Sequence, residues 1–269
     1  MLAILLAVTI GYSALDIDTG RTVSHHAEQR FPIGSVFKFP LSLTVLHLVD
    51  EKKFDLDQQY TIQPADFSPG YSPIRDNAHG QPVTMTLREL VAYTLGMSDN
   101  TGADYLMKLI GGPAVVTKYV RELGVQGIRV DRSEKQMAAD IHGTPDGAAK
   151  YAVDPRDTAT PRAMMELLRL FYEKRDGLSP ANHDFALKTM LGTKTGAKRI
   201  VSVLPPRSTF AHKTGTMPGT FNDAGVITLP DAKHHIAIAV LVKGAKSDED
   251  EKVIAETAKT ILQRLVKER

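Results

Sequence analysis

The 269-residue chain contains no cysteine. That excludes thiol nucleophiles, disulfides, iron–sulfur clusters and cysteine-ligated zinc, and leaves the redox compartment open. Charge of one sign is scarce as well. The 33 Lys+Arg and 31 Asp+Glu leave a net +2, and no basic run provides the electrostatic footprint that nucleic acid requires. Long hydrophobic runs are also missing. The apolar opening Met1–Ile10 is shorter than the roughly 18–20 residues of a membrane span and lacks both a positive n-region and an A-x-A-like cleavage site. It continues into Gly11–Asp16 and the turn Asp18-Thr19-Gly20, so a buried strand entering a hairpin is expected. There is no internal repeat, low-complexity tract or long linker. Neither G-x-S-x-G nor H-E-x-x-H occurs, which argues against an α/β-hydrolase elbow and a histidine-built metal centre. His25-His26 and His234-His235 are sequence neighbours, so on regular elements their side chains would point apart.

What is present is ordinary globular material, 42% hydrophobic and 24% charged, enough for one large domain or two modest ones. Periodicity divides it into three zones. Strand-like pieces fill the first, at Val8–Ile17 and Arg21–His25. From about Ser35 to Leu178 the pattern is mostly helical, with amphipathic runs at Leu41–Val49, Leu87–Leu95, Ala103–Ile110, Ala114–Leu123 and Pro161–Tyr172. Strands return at Ser208–Lys213, Ala224–Leu229 and His235–Val242. A helix Asp248–Lys267 follows, with acids at its start and bases (Arg264, Lys267, Arg269) at its end to complement the dipole. The expected fold is α/β and two-lobed. An antiparallel sheet flanked by terminal helices (1–34 and 179–269) carries an inserted helical lobe (35–178), with a cleft between the lobes for a small molecule.

Three short patterns could carry chemistry. In Ser35-Val36-Phe37-Lys38, opening a helical run, hydroxyl and amine share one face. A serine is a weak nucleophile until an adjacent base takes its proton, and nearby helix-start N–H groups can face an oxyanion. Ser98-Asp99-Asn100 lies between two helical runs, where alone it reads as a turn and N-cap. Lys213-Thr214-Gly215 ends a strand and is followed by the turn Thr216-Met217-Pro218-Gly219. Each is commonplace by itself, but the ordered set S-x-x-K, S-D-N and K-T-G is a mechanistic signature.

With these three motifs in order, the sequence resembles the class A serine β-lactamase family over nearly its whole length. A fourth stretch strengthens the likeness. Val130-Asp131-Arg132-Ser133-Glu134 and Asp154-Pro155-Arg156-Asp157 look like the two ends of that family's omega loop, about 132–157. The resemblance implies hydrolysis of β-lactam antibiotics through an acyl-serine, with no metal or organic cofactor, by an exported (periplasmic or secreted) monomer that confers resistance. It implies Ser35 as nucleophile and Lys38 or Glu134 as the base in acylation. Glu134 would activate the hydrolytic water, Ser98 would relay a proton to the leaving nitrogen, and Lys213 would assist electrostatically. Arg132 and Asp157 would pin the loop. Asn100 would bind the substrate amide, and Thr214, Gly215 and Thr216 the substrate, with the two threonines on its carboxylate. Tyr71 would wall the cleft mouth, and the backbone N–H groups of Ser35 and Thr216 would form the oxyanion site.

Two departures bear on deacylation. Ala138 stands where the family commonly has an asparagine, and the segment from Glu134 to Asp157 is longer than usual. A second K-T-G, Lys194-Thr195-Gly196, falls between helical segments (Asp184–Leu191 and Lys198–Leu204) and is expected to be structural. Two alternatives share the motifs: a penicillin-binding D,D-peptidase, and a β-lactam sensor acylated once without turnover.

Overall fold

The computed structural model describes residues 8–245 and 248–266. Strands β1 (Thr9–Asp16) and β2 (Thr22–His25) form the expected hairpin, in which Gly20, at φ +73°, donates its N–H to the Asp16 carbonyl. Residues 1–7 of the apolar opening lie outside the described residues. After β3 (Phe31–Pro32) comes a single 3₁₀ turn, Gly34–Phe37, and then α1 (Lys38–Asp50). Next are β4 (Gln59–Ile62), α2 (Pro73–Ala78), β5 (Val83–Thr86), α3 (Leu87–Gly96), α4 (Asn100–Leu109) and α5 (Pro113–Glu122). They are followed by α6 (Glu134–His142), α7 (Gly147–Tyr151), β6 (Thr158–Ala159), α8 (Pro161–Tyr172) and α9 (Pro180–Leu191). The chain closes with β7 (Thr209–Met217), β8 (Thr220–Thr228), β9 (His235–Lys243) and α10 (Lys252–Leu265), the last entered through a 3₁₀ turn at Asp248–Glu251.

The main sheet runs β2-β1-β9-β8-β7 and is antiparallel throughout. β1 pairs with β9 from Thr9↔Lys243 to Asp16↔Ile236, so strands from the two ends of the chain meet at its centre, as the sequence predicts. Alternation along β9 sorts its side chains. Ile236, Ile238, Val240 and Val242 pack with Ile254, Ala258, Ile261 and Leu265 of α10, which recur at helical spacing. Ala237 and Ala239 face the other way, into the core shared with α8 and the helical region. Their small size lets α8 lie close to the sheet. Each large aliphatic buried in this way contributes about 1.5–3 kcal/mol.

The helix starts are written in the sequence. Thr86 and Glu89 form a capping box at α3, Ser133 and Gln136 another at α6, and Thr160-Pro161 and Ser179-Pro180 open α8 and α9. Several expectations change. The helical zone holds the small β4–β5 hairpin. The terminal helix ends at Leu265, and Lys267 and Arg269 lie outside the described residues. The segment Lys198–Leu204 is only a 3₁₀ turn at Ile200–Val203. His25 and His26 do not point apart: their ring centroids are 3.9 Å from each other, because His26 leaves the strand at φ +48°. No described helix is long and apolar enough to cross a membrane.

Candidate active site

Ser35 sits in the 3₁₀ turn just before α1, where residues three apart eclipse. Lys38 is thereby brought under the hydroxyl, with Nζ 3.1 Å from Ser35 Oγ. Lys38 is fully buried, and its ammonium has three further acceptors: Asn100 Oδ1 at 2.6 Å, the Ser98 carbonyl at 2.8 Å and Glu134 Oε1 at 2.9 Å. Glu134 Oε1 also accepts from Ser35 Oγ at 3.3 Å. Hydroxyl, ammonium and carboxylate therefore form one closed triangle.

Strand β7 supplies the opposite wall. Lys213-Thr214-Gly215 lies within the strand, not at its end, and Thr216 is a strand residue too, because β7 continues to Met217 and turns through Pro218-Gly219 alone. A Cβ on Gly215 would stand 2.3 Å from the Ile33 carbonyl oxygen, so only glycine lets β7 approach the turn bearing Ser35. Gly34, at φ +48°, brings the same turn beside the Thr216 backbone. Asn222 of β8 fastens the two parts, donating to the Pro32 carbonyl at 2.9 Å. Lys213 is buried and donates to Ser98 Oγ and the Thr214 carbonyl, both at 2.8 Å. Burial holds its ammonium well below the usual 10.5, and the nearby Lys38 cation pushes the same way. On the expectation that Lys213 acts on Ser98 as a cation, kcat/KM should fall along an alkaline limb centred below pH 10.5. Lys213→Arg, which keeps its charge, should move that limb upward; a wild-type limb at or above 10.5 would contradict this.

Ser98 is itself held in the left-handed region, at φ +62°. The next residue explains how. Asp99, fully buried, caps α4 through Gly102 N–H at 2.8 Å and accepts Ile74 N–H at 2.8 Å. The capping reading of this motif thus holds for its aspartate, while its serine and asparagine face the cleft. Asn100 uses its amide on the Pro69 carbonyl at 2.9 Å. Tyr71 stands at the mouth, 54% exposed.

Glu134 opens α6 and is 4% exposed. Its peptide N–H donates to Asp104 Oδ1 at 2.6 Å, and Lys135 N–H to Asp104 Oδ2 at 3.0 Å, so a buried carboxylate sits at the positive end of α6. Asp104 was not singled out in the sequence; its place on α4, five residues past Asp99, was the only signal. Arg132 donates to Asp157 Oδ2 at 2.6 Å, and Asp157 Oδ1 accepts the N–H groups of Asp131 and Arg132 at 2.7 and 3.0 Å. Removing one partner of so buried a pair costs about 3–5 kcal/mol. The segment between these pins is not a plain loop, since it holds α6 and α7.

The second K-T-G is closer to the site than expected. Thr195 Oγ1 lies 2.5 Å from Thr214 Oγ1, and Thr195 lines the cleft with Ser35. Arg199, also missed, is 4% exposed and donates to Thr216 Oγ1 at 2.6 Å, to the carbonyls of Gly215 and Asn222, and to Glu251. The space in front of Ser35 amounts to about 480 Å³. It opens past Glu134 and Thr216 into a second cavity of about 390 Å³ between Ala138, Ile141 and His142 on one side and Met217–Gly219 on the other.

A model of the β-lactamase enzyme family matches residues 5–265. The chain belongs to the class A serine β-lactamases. It is 34% identical to β-lactamase VEB-1 of Pseudomonas aeruginosa over 93% of this chain and 83% of that one. It is 32% identical to a β-lactamase of Bacteroides uniformis over 90% and 81% of the two chains. The crystal structure of a β-lactamase from Chitinophaga pinensis superposes with a TM-score of 0.85 at 35% identity, covering 96% of this chain and 94% of the other. The two-lobed α/β fold is therefore the β-lactamase fold, and the enzyme hydrolyses β-lactams. In this β-lactamase Ser35, Ser98 and Glu134 line one cleft, and the buried Lys38 and Lys213 reach Ser35 and Ser98 from behind.

Proposed function

We propose that this β-lactamase works through a covalent acyl-serine. The supporting observation is that Ser35 Oγ lies within hydrogen-bonding distance of both Lys38 Nζ and Glu134 Oε1 at the floor of the cleft. Glu134 takes the Ser35 proton as Oγ attacks the lactam carbonyl. Lys38, with four oxygens within 3.1 Å of its three N–H groups, acts as a cation that steadies both. The developing oxyanion is held by the backbone N–H groups of Ser35 and Thr216. As the C–N bond breaks, Ser98, hydrogen-bonded by Lys213, gives its proton to the nitrogen and receives in its place the proton that Glu134 took from Ser35, so the Ser98 hydroxyl and the Glu134 carboxylate are both restored. Thr214, Thr216 and Arg199 hold the substrate carboxylate; Gly215 lets the strand carrying the threonines come close; Asn100 meets the side-chain amide; Tyr71 covers the mouth. Glu134 then deprotonates a water, which attacks the ester, and Ser35 regains its proton. Arg132 and Asp157 keep the omega segment, and with it Glu134, in register.

The second cavity extends the same reading to substrate preference. It adjoins the place where the acylamino substituent of a bound β-lactam would lie, and its lining of Ala138, Ile141 and Met217 would meet that substituent. The enzyme would work outside the cytoplasm, where the targets of these drugs are. Rapid mixing with a chromogenic cephalosporin should give a burst of one equivalent followed by many turnovers. A single equivalent with no steady state would indicate a sensor instead.

A further inference from the structure

The row of α6 residues that lines the second cavity begins with Glu134 and continues through Ala138 and Ile141 to His142, the i, i+4, i+7 and i+8 positions of one helix face. The opposite wall, with Met217, Pro218, Phe221 and Ala245, is apolar. At the end of the cavity nearest Ser35 the polar side chains are already engaged. Asn100 accepts from Lys38 and donates to the Pro69 carbonyl, Glu134 pairs with Lys38, and Thr216 accepts from Arg199. His142, on the last turn of α6, is different. It is exposed, and its imidazole has no hydrogen bond, ion pair or ring contact among the described residues.

The charges around it are spoken for. On α6 itself, Asp140 pairs with Arg132 and Arg156, and Lys135 Nζ donates to the Ala65 carbonyl. On α7, Asp146 and Lys150 pair with each other, and on α4 Asp104 accepts the N–H groups of Glu134 and Lys135. None of them engages the imidazole. From Glu134 to His142 the helix rises about 12 Å, at 1.5 Å for each residue step. A small acyl group held beside Asn100 stops short of that distance, whereas a long one carries its tip to His142. An imidazole offers an N–H donor in either protonation state and is a cation when protonated. The tip it suits is a carboxylate.

We propose that His142 is a specificity-determining residue, which favours β-lactams whose acylamino substituent is long and ends in a carboxylate by binding that carboxylate at the far end of the second cavity. This selection rests on the placement of the acylamino substituent in that cavity.

The test uses two cephalosporins that differ at one place, with an oxyimino substituent ending either in a carboxylic acid or in the methyl ester of that acid. Wild type should favour the acid in kcat/KM by about five-fold, as much as an ion pair open to solvent provides. His142→Ala should abolish the preference by lowering kcat/KM for the acid alone, and His142→Arg, which keeps a cation there, should preserve it. Equal kcat/KM for the two substrates in wild type, or equal losses on both in His142→Ala, would overturn the proposal. Ala245→Trp, which narrows the cavity from the opposite wall, separates the role of His142 from the placement of the substituent. If acid and ester both lose kcat/KM relative to a penicillin with a small acyl group, the substituent lies in the cavity, and an unaltered acid preference in His142→Ala then removes only His142. If the two cephalosporins lose no more than the penicillin, the placement falls and the selection by His142 falls with it.

Discussion

Ser35→Ala is expected to lower kcat/KM for a chromogenic cephalosporin by on the order of 10⁵-fold or more, in line with loss of the nucleophile from other serine hydrolases. The neighbouring hydroxyls are already engaged. Ser98 Oγ is engaged by Lys213, and Thr214 Oγ1 is engaged by Thr195. The loss should not come from unfolding, because the 3₁₀ turn is held by its backbone, with Val36 N–H on the Ile33 carbonyl, and by the glycine contact at Gly215. The thermal midpoint should therefore stay near wild type while hydrolysis disappears. Residual turnover within ten-fold of wild type would remove Ser35 from the mechanism.

Glu134→Gln should produce a different defect. The amide keeps the size of the side chain and its peptide contacts with Asp104, but it cannot take a proton from water. General bases contribute about 10²–10⁴-fold, and kcat should fall within that range. Acylation should suffer less. Lys38, released from its ion pair with the carboxylate, still lies 3.1 Å from Ser35 Oγ and, as a neutral amine, can take over the first proton transfer. No equivalent group stands behind the hydrolytic water. The variant should consume one equivalent of substrate and then stall.

Much of this was legible in the sequence because it is local. A start such as Thr160-Pro161 opens α8 where expected, although α9 begins at Pro180, four residues before the expected Asp184, and the Ile/Val–Ala alternation of β9 fixes which face meets which layer. Ser35 and Lys38 were legible for the same reason, being three residues apart in one turn. What escaped depends on residues distant in sequence. Arg199 reaches Thr216 only because the turn after α9 folds beneath β7, and Asp104 meets Glu134 only where α4 abuts the start of α6. Thr195 looked like a stray copy of a motif until β7 lay alongside it. The helices inside the omega segment were obscured by Gly143-Thr144-Pro145-Asp146-Gly147, which reads as an open loop. In the fold it is the tight turn between α6 and α7, where Gly147 packs so closely on the Ile141 carbonyl that a Cβ would stand 2.3 Å from its oxygen. His25-His26 misled because one left-handed residue overrides strand alternation.

The central claim is that one serine forms an ester which one carboxylate, drawn from a distant stretch of chain, causes to be hydrolysed. Intact-protein mass spectrometry of Glu134→Gln after mixing with a penicillin, followed by peptide mapping, tests it directly. A stable mass increase of one substrate is expected on the peptide containing Ser35, in a sample where wild type, given the same time, has returned to its unmodified mass. An adduct on another residue, no adduct, or an adduct lost as fast as in wild type would contradict it.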